Sequence, residues 1–174
     1  KFSPSLPKQE YLDLKVREAL VESPGIDLLA MGRPEGPGCY CAANNMLRSI
    51  IDRLETHYDF VVIDNEAGME HISRQTTRDV DILLIVSDPS LRGIITAART
   101  KELIGELRTQ VGRIALVLNR ADGPLSPEAE ASLQAAGLEV LATLPTDPEV
   151  TELDARGKPL TELSPDSPAR RGVE

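Results

Sequence analysis

The chain has no tryptophan, and aromatic residues make up only 3% of its 174 positions, so an aromatic core is excluded and Leu, Ile, Val and Ala must carry the packing. Histidine occurs twice, as His57 and His71, which rules out a His-rich metal cluster and leaves both as surface residues. Positive charge is in deficit, with 19 Lys and Arg against 28 Asp and Glu and a net charge of −9. A nucleic-acid surface needs clustered bases to displace counterions, so that partner is excluded. No apolar run approaches the roughly 18 residues of a membrane span. The opening KFSPSLPKQE is polar and carries no signal-peptide pattern, so the expectation is a cytoplasmic protein without a membrane partner. The length suits one domain, residues 1–174, with a core at about 22–162 and a polar tail at 163–174.

Cysteine is almost absent too. Cys39 and Cys41 are the only two, one residue apart in GRPEGPGCYC. In a cytosol-like composition such a pair reads as metal or redox chemistry sooner than as a structural staple. The ends look cut: the first residue is Lys1, and SPARRGVE starts a helix at Ser167 and Pro168 that stops within two turns. A longer parent is expected.

What is present is a set of five short apolar runs: IDLLAM (26–31), FVVID (60–64), ILLIVS (82–87), IALVLN (114–119) and LEVLATL (138–144). They are near-continuously apolar, the mark of a parallel sheet covered on both faces. Helical patterns lie between them. Apolar residues recur at helical spacing from Met46 to Leu54 and from Leu91 to Leu107, and SPEAEASLQAAG opens with Ser126 and Pro127 and closes at Gly137. The fold expected is α/β, doubly wound, with a mostly parallel sheet and helices on both faces.

Ligands of such sheets bind at the carboxyl ends of the strands. Asp64 ends FVVID and Gly68 follows, so a carboxylate can hold a water of a magnesium ion while glycine lets its backbone approach a terminal phosphate. An acidic strand end with a turn glycine is the plainer alternative. Asn119, followed by Arg120, Ala121 and Asp122, ends IALVLN; its amide can pair with a purine edge or bond its own loop. The residues after LEVLATL, Pro145, Thr146, Asp147 and on to Val150, can wall an adenine face or form a loop in which Asp147 caps a helix.

In their order, YDFVVIDNEAG, DILLIVSDPS, IALVLNR and LPTDPEV with ARGKPL resemble the Min and Par proteins, P-loop NTPases with a deviant phosphate loop. The GCYC stretch before a helix and the DNEAGMEH segment are similar to the carbon monoxide dehydrogenase accessory ATPases, which assist nickel insertion into that enzyme. The resemblance runs from about residue 22 to residue 162. It implies ATP or ADP with Mg2+ as ligand, Asp64 as the magnesium-side acid and Gly68 as the γ-phosphate sensor. It also implies Asn119 and the 145–150 loop around the adenine, and Cys39 and Cys41 as metal ligands. One departure matters: the sequence contains no G-x-x-x-x-G-K-[ST] and no two-lysine variant of it. That loop supplies the amides and lysine that hold the β- and γ-phosphates, and its strand is expected beside FVVID. As written, the chain is not expected to hydrolyse ATP.

A Cys-x-Cys pair offers one metal two ligands, whereas structural zinc usually takes four. A disulfide at this spacing is strained. A homodimer whose twofold axis passes near the loop would bring two pairs together as a four-thiolate site. Thiolates suit both Zn2+ and Ni2+, tetrahedral geometry leaning to zinc and square-planar to nickel. The function expected is an ATP-dependent metallochaperone for nickel insertion, partnered by itself and by a carbon monoxide dehydrogenase-like client. The alternative is a Min/Par-like partition or site-placement ATPase without a metal role, which would want a basic face or tail. A phosphoacceptor domain with Asp64 as acceptor would need a lysine at a later strand end, where this chain has Arg120.

Overall fold

The computed structural model describes residues 8–30, 49–65, 80–107 and 110–174. Contacts divide the chain into two compact units, Lys1–Asp64 and Asn65–Glu174.

In the first unit, helix α1 (Lys8–Ala19) leads into strand β1 (Leu20–Val21), which pairs antiparallel with β2 (Leu28–Leu29). Tyr58 closes this unit by donating its hydroxyl hydrogen to Asp27 Oδ2 at 2.6 Å. Residues 49–54 are helical and continue into a 3-10 turn, Glu55–His57. The apolar run 26–31 thus yields a strand of only two residues among those described. The run 60–64 yields none: Phe60 and Val62 are 88% and 92% exposed, and the segment is without strand pairing among the described residues. A strand is held by a hydrogen-bonded neighbour, and an apolar run without one forms no strand. The expectation of a strand at FVVID is corrected on that ground.

The second unit is a parallel α/β layer. Strands β3 (Val80–Ser87), β4 (Val111–Asn119) and β5 (Glu139–Leu144) lie side by side in that order, all parallel. Helix α2 (Leu91–Glu106) connects β3 to β4, and α3 (Pro127–Ala136) connects β4 to β5. Leu83 and Ile85 of β3 stand opposite Ile114 and Leu116 of β4, and this face packs on Ile94 and Ala97 of α2 and Ala129 of α3. The alternate β3 residues, Ile82, Leu84 and Val86, remain more than half exposed on the other face. Near-continuous apolarity in β3 is therefore one buried face and one open one.

The helix ends follow the capping chemistry of the sequence. Ser90 accepts from Gly93 N, Ser126 accepts from Ala129 N, and Gly137 ends α3 with φ 55°. After β5 the chain enters α4 (Pro148–Ala155) and, past a 3-10 turn, the short α5 (Pro168–Arg171). The last residues fold further than a polar tail: Leu163 and Ser167 are buried.

Candidate functional site

Three strands end together in the second unit, each followed by a polar loop. At the end of β3, Asp88 Oδ1 accepts the Ser90 backbone N–H at 2.9 Å. Hydrogen bonds from Ser90, helped by the charge of Arg120, hold the Asp88 carboxyl below its ordinary range. The first turn of α2 sits so close that a Cβ on Gly93 would lie 2.5 Å from Ser87 Oγ and 2.8 Å from the Asp88 carbonyl oxygen. Glycine is what lets this helix start against the strand end.

At the end of β4, Asn119 is exposed and stands opposite Leu144 of β5. Its side-chain amide makes no hydrogen bond among the described residues, so it is not spent on its own loop. Arg120 follows with φ 56°, the one non-glycine residue at positive φ among those described. That conformation costs an L-residue roughly 1–2 kcal/mol and needs its surroundings to enforce it. They do: Ala121 is buried in the core, and its N–H donates to the Leu144 carbonyl at 2.9 Å.

The third loop is tied to the second. Thr146 N donates to Asp122 Oδ1 at 2.8 Å, and the hydrogen bonds from Thr146 hold the Asp122 carboxyl below its ordinary range. Pro145 and Val150 are half-buried, and Thr146 is exposed. Asp147 is turned inward, 6% exposed, and caps two helices at once. Its Oδ1 accepts from Glu149 N at 2.8 Å; its Oδ2 accepts from Ser167 Oγ at 2.6 Å and from Ala169 N at 3.2 Å. The Ser167 hydrogen bond, followed by those from backbone amides, depresses the Asp147 pKa. Both oxygens are thus engaged in joining α4 to α5.

Of the residues expected at a site, the structure brings Asn119, Pro145, Thr146, Asp147 and Val150 into one neighbourhood. Asp64 ends the first unit. Gly68, Cys39, Cys41 and His71 lie outside the described residues. Among the described residues no group of three or more His, Cys, Asp and Glu is placed to hold a metal ion, and no helix is long and apolar enough to cross a membrane. Sequence reasoning missed Asp88 and the structural use of Asp122. Asp-Pro-Ser after β3 was a readable turn signal, but a bond between residues 24 apart leaves no local trace.

A parallel α/β sheet whose strand ends carry these loops is shared with solved structures. A ParA family ATPase from Chlorobium tepidum matches 97% of this chain and 69% of its own, with TM-score 0.64 and 21% identity. The Pyrococcus furiosus cell-division ATPase MinD matches 98% and 73%, with TM-score 0.65 and 20% identity. The fold is the α/β P-loop NTPase type. No protein-family model matches the chain. An ATP-binding protein of Methanocaldococcus jannaschii is 43% identical over 169 residues, covering 97% of this chain and 67% of that protein. A second ATP-binding protein of that organism is 39% identical over 153 residues, covering 86% and 58%. The carbon monoxide dehydrogenase accessory protein CooC of Rhodospirillum rubrum is 32% identical over 148 residues, covering 83% and 55%. The chain belongs to this MinD/ParA-like family of ATP-binding proteins, and spans between 55% and 67% of the length of the three relatives.

Proposed function

We propose that the protein binds ATP or ADP with Mg2+ and acts as a maturation factor that assists nickel insertion into a carbon monoxide dehydrogenase-like client. The observation that carries the nucleotide part is the Asn119 amide, exposed at the end of β4 and without a hydrogen bond among the described residues, beside the 144–146 loop. A purine offers such an amide both a donor and an acceptor. In this reading Asn119 holds the base edge and Pro145, Thr146 and Val150 wall the ring, while Asp147 keeps their loop in place from below. Asp64 and Gly68 serve the magnesium and terminal-phosphate end. The phosphate-holding motif is not in this sequence, so hydrolysis is assigned to the full-length protein.

The metal part rests on Cys39 and Cys41 in the sequence and on the likeness to CooC. Two thiolates from each of two chains would give one four-sulfur site for Zn2+ or Ni2+ on a homodimer axis. Native mass spectrometry of the full-length protein titrated with each metal tests it, beside a Cys39→Ser/Cys41→Ser double variant. One metal per two chains, lost in the variant together with the dimer, is the expected result. A metal-free monomer that the substitutions leave unchanged would overturn the metal role. The reading left standing would then be a site-placement ATPase of the Min/Par kind, which the likeness to ParA and MinD structures favours and which needs no thiolates.

A further inference from the structure

We infer that Asp122 is a positioning residue for nucleotide: its carboxylate clasps the loop after β4 to the loop after β5 and thereby fixes where Asn119 presents its amide. The inference rests on the nucleotide reading above and adds to it a residue that touches no base in that reading.

The two loops are joined at three successive points. Asn119 stands in register with Leu144 at the end of the β4–β5 ladder. Ala121 N donates to the Leu144 carbonyl at 2.9 Å, which prolongs the pairing beyond the strands. Thr146 N then donates to Asp122 Oδ1 at 2.8 Å. Only the last of these uses a side chain, so only the last depends on residue identity. Between the first and second points the backbone is forced through Arg120 at φ 56°. A left-handed arginine relaxes when its anchors are removed, and relaxation there swings the peptide next to Asn119. The buried methyl of Ala121 anchors the loop to the core but leaves the partner loop free. Asp122 supplies the remaining constraint, between loops rather than to the core. An ionised carboxylate accepting a backbone N–H is also stronger than a neutral pair, which suits a brace that holds a strained turn in an exposed place.

A plain loop tie would affect stability without distinguishing the two ends of a nucleotide. The test therefore compares ATP with inorganic tripolyphosphate, which lacks the base, by calorimetric titration of the full-length protein with Mg2+. In Asp122→Ala, ATP binding is expected to weaken by about tenfold, the order of one lost charge-assisted hydrogen bond. Tripolyphosphate binding should be unchanged, which also reports that the variant is folded. Asp122→Asn keeps an acceptor oxygen and should restore most of the ATP affinity. Equal weakening of both ligands, or no weakening of either, overturns the inference while leaving the nucleotide reading intact. If the unsubstituted protein binds tripolyphosphate but gains nothing from the base of ATP, or binds neither, the nucleotide reading itself fails and this inference with it.

Discussion

Single side chains in the second unit do more than fill space, and two of them make separable predictions. Ser167, 2% exposed, donates to Asp147 Oδ2 and accepts from Arg170 N, so it both satisfies a buried carboxylate and caps α5. Ser167→Ala removes both bonds and is expected to destabilise the protein by about 1–2 kcal/mol in urea denaturation. A loss near zero would mean that water replaces the hydroxyl and that the helix junction is not sealed. Arg120 is the converse case, a residue whose backbone opposes its own side chain. Arg120→Gly relieves the positive φ but adds unfolded-chain entropy, so its stability should lie within about 1 kcal/mol of the unsubstituted protein. Arg120→Val, with a branched Cβ in the same conformation, should cost about 1–3 kcal/mol. Equal midpoints for the two variants would show that the loop simply abandons the left-handed turn.

At the scale of elements, junctions set the tolerances. Gly93 starts α2 against the end of β3, where an added Cβ would meet Ser87 Oγ, Asp88 Oδ1 and the Asp88 carbonyl at 2.5–2.8 Å. One of those atoms is backbone and cannot rotate away, so Gly93→Ala should cost about 1–3 kcal/mol despite the better helix propensity of alanine. Denaturation with far-UV circular dichroism would show it, and a gain in stability would refute the tight junction. The same junctions explain what the sequence revealed. The runs at 82–87, 114–119 and 138–144 are strands because each has a neighbour within the unit. The caps at Ser126, Gly137, Asp147 and Ser167 were legible because capping is local chemistry. FVVID, equally apolar, has no strand pairing among the described residues, since a strand depends on a partner as well as on its own composition. Helix α1 was missed because its stretch, KQEYLDLKVREA, is mostly polar. Within the candidate site, Asn119 and the 145–150 loop were readable from their place at strand ends. The Asp122–Thr146 bond was not, because no pattern within either loop refers to the other.

For the whole molecule the decisive property is an acidic surface, net −9, in which several carboxylates hold the structure together. Asp88, Asp122 and Asp147 each accept backbone amides, and Glu139 pairs with Arg113; all four have pKa values lowered by those contacts. A carboxylate with a lowered folded pKa binds protons more weakly in the folded state than in the unfolded one. Its contribution is therefore complete above the unfolded value, about 4, and disappears as pH falls from there through the folded value. Urea midpoints should accordingly be flat from neutral pH to about 5 and fall steeply below 4. Repulsion among the 19 Lys and Arg at low pH would also lower the midpoint, so a variant must separate the causes. Asp122→Asn retains an acceptor for the Thr146 N–H but has no proton to gain. If bonded carboxylates govern the acid limb, this variant loses stability less steeply between pH 4 and 2.5 than the unsubstituted protein, because one proton-linked term is gone. Identical slopes would show that Asp122 adds nothing to the acid limb, and the Asp122 clasp would then have to act through geometry alone.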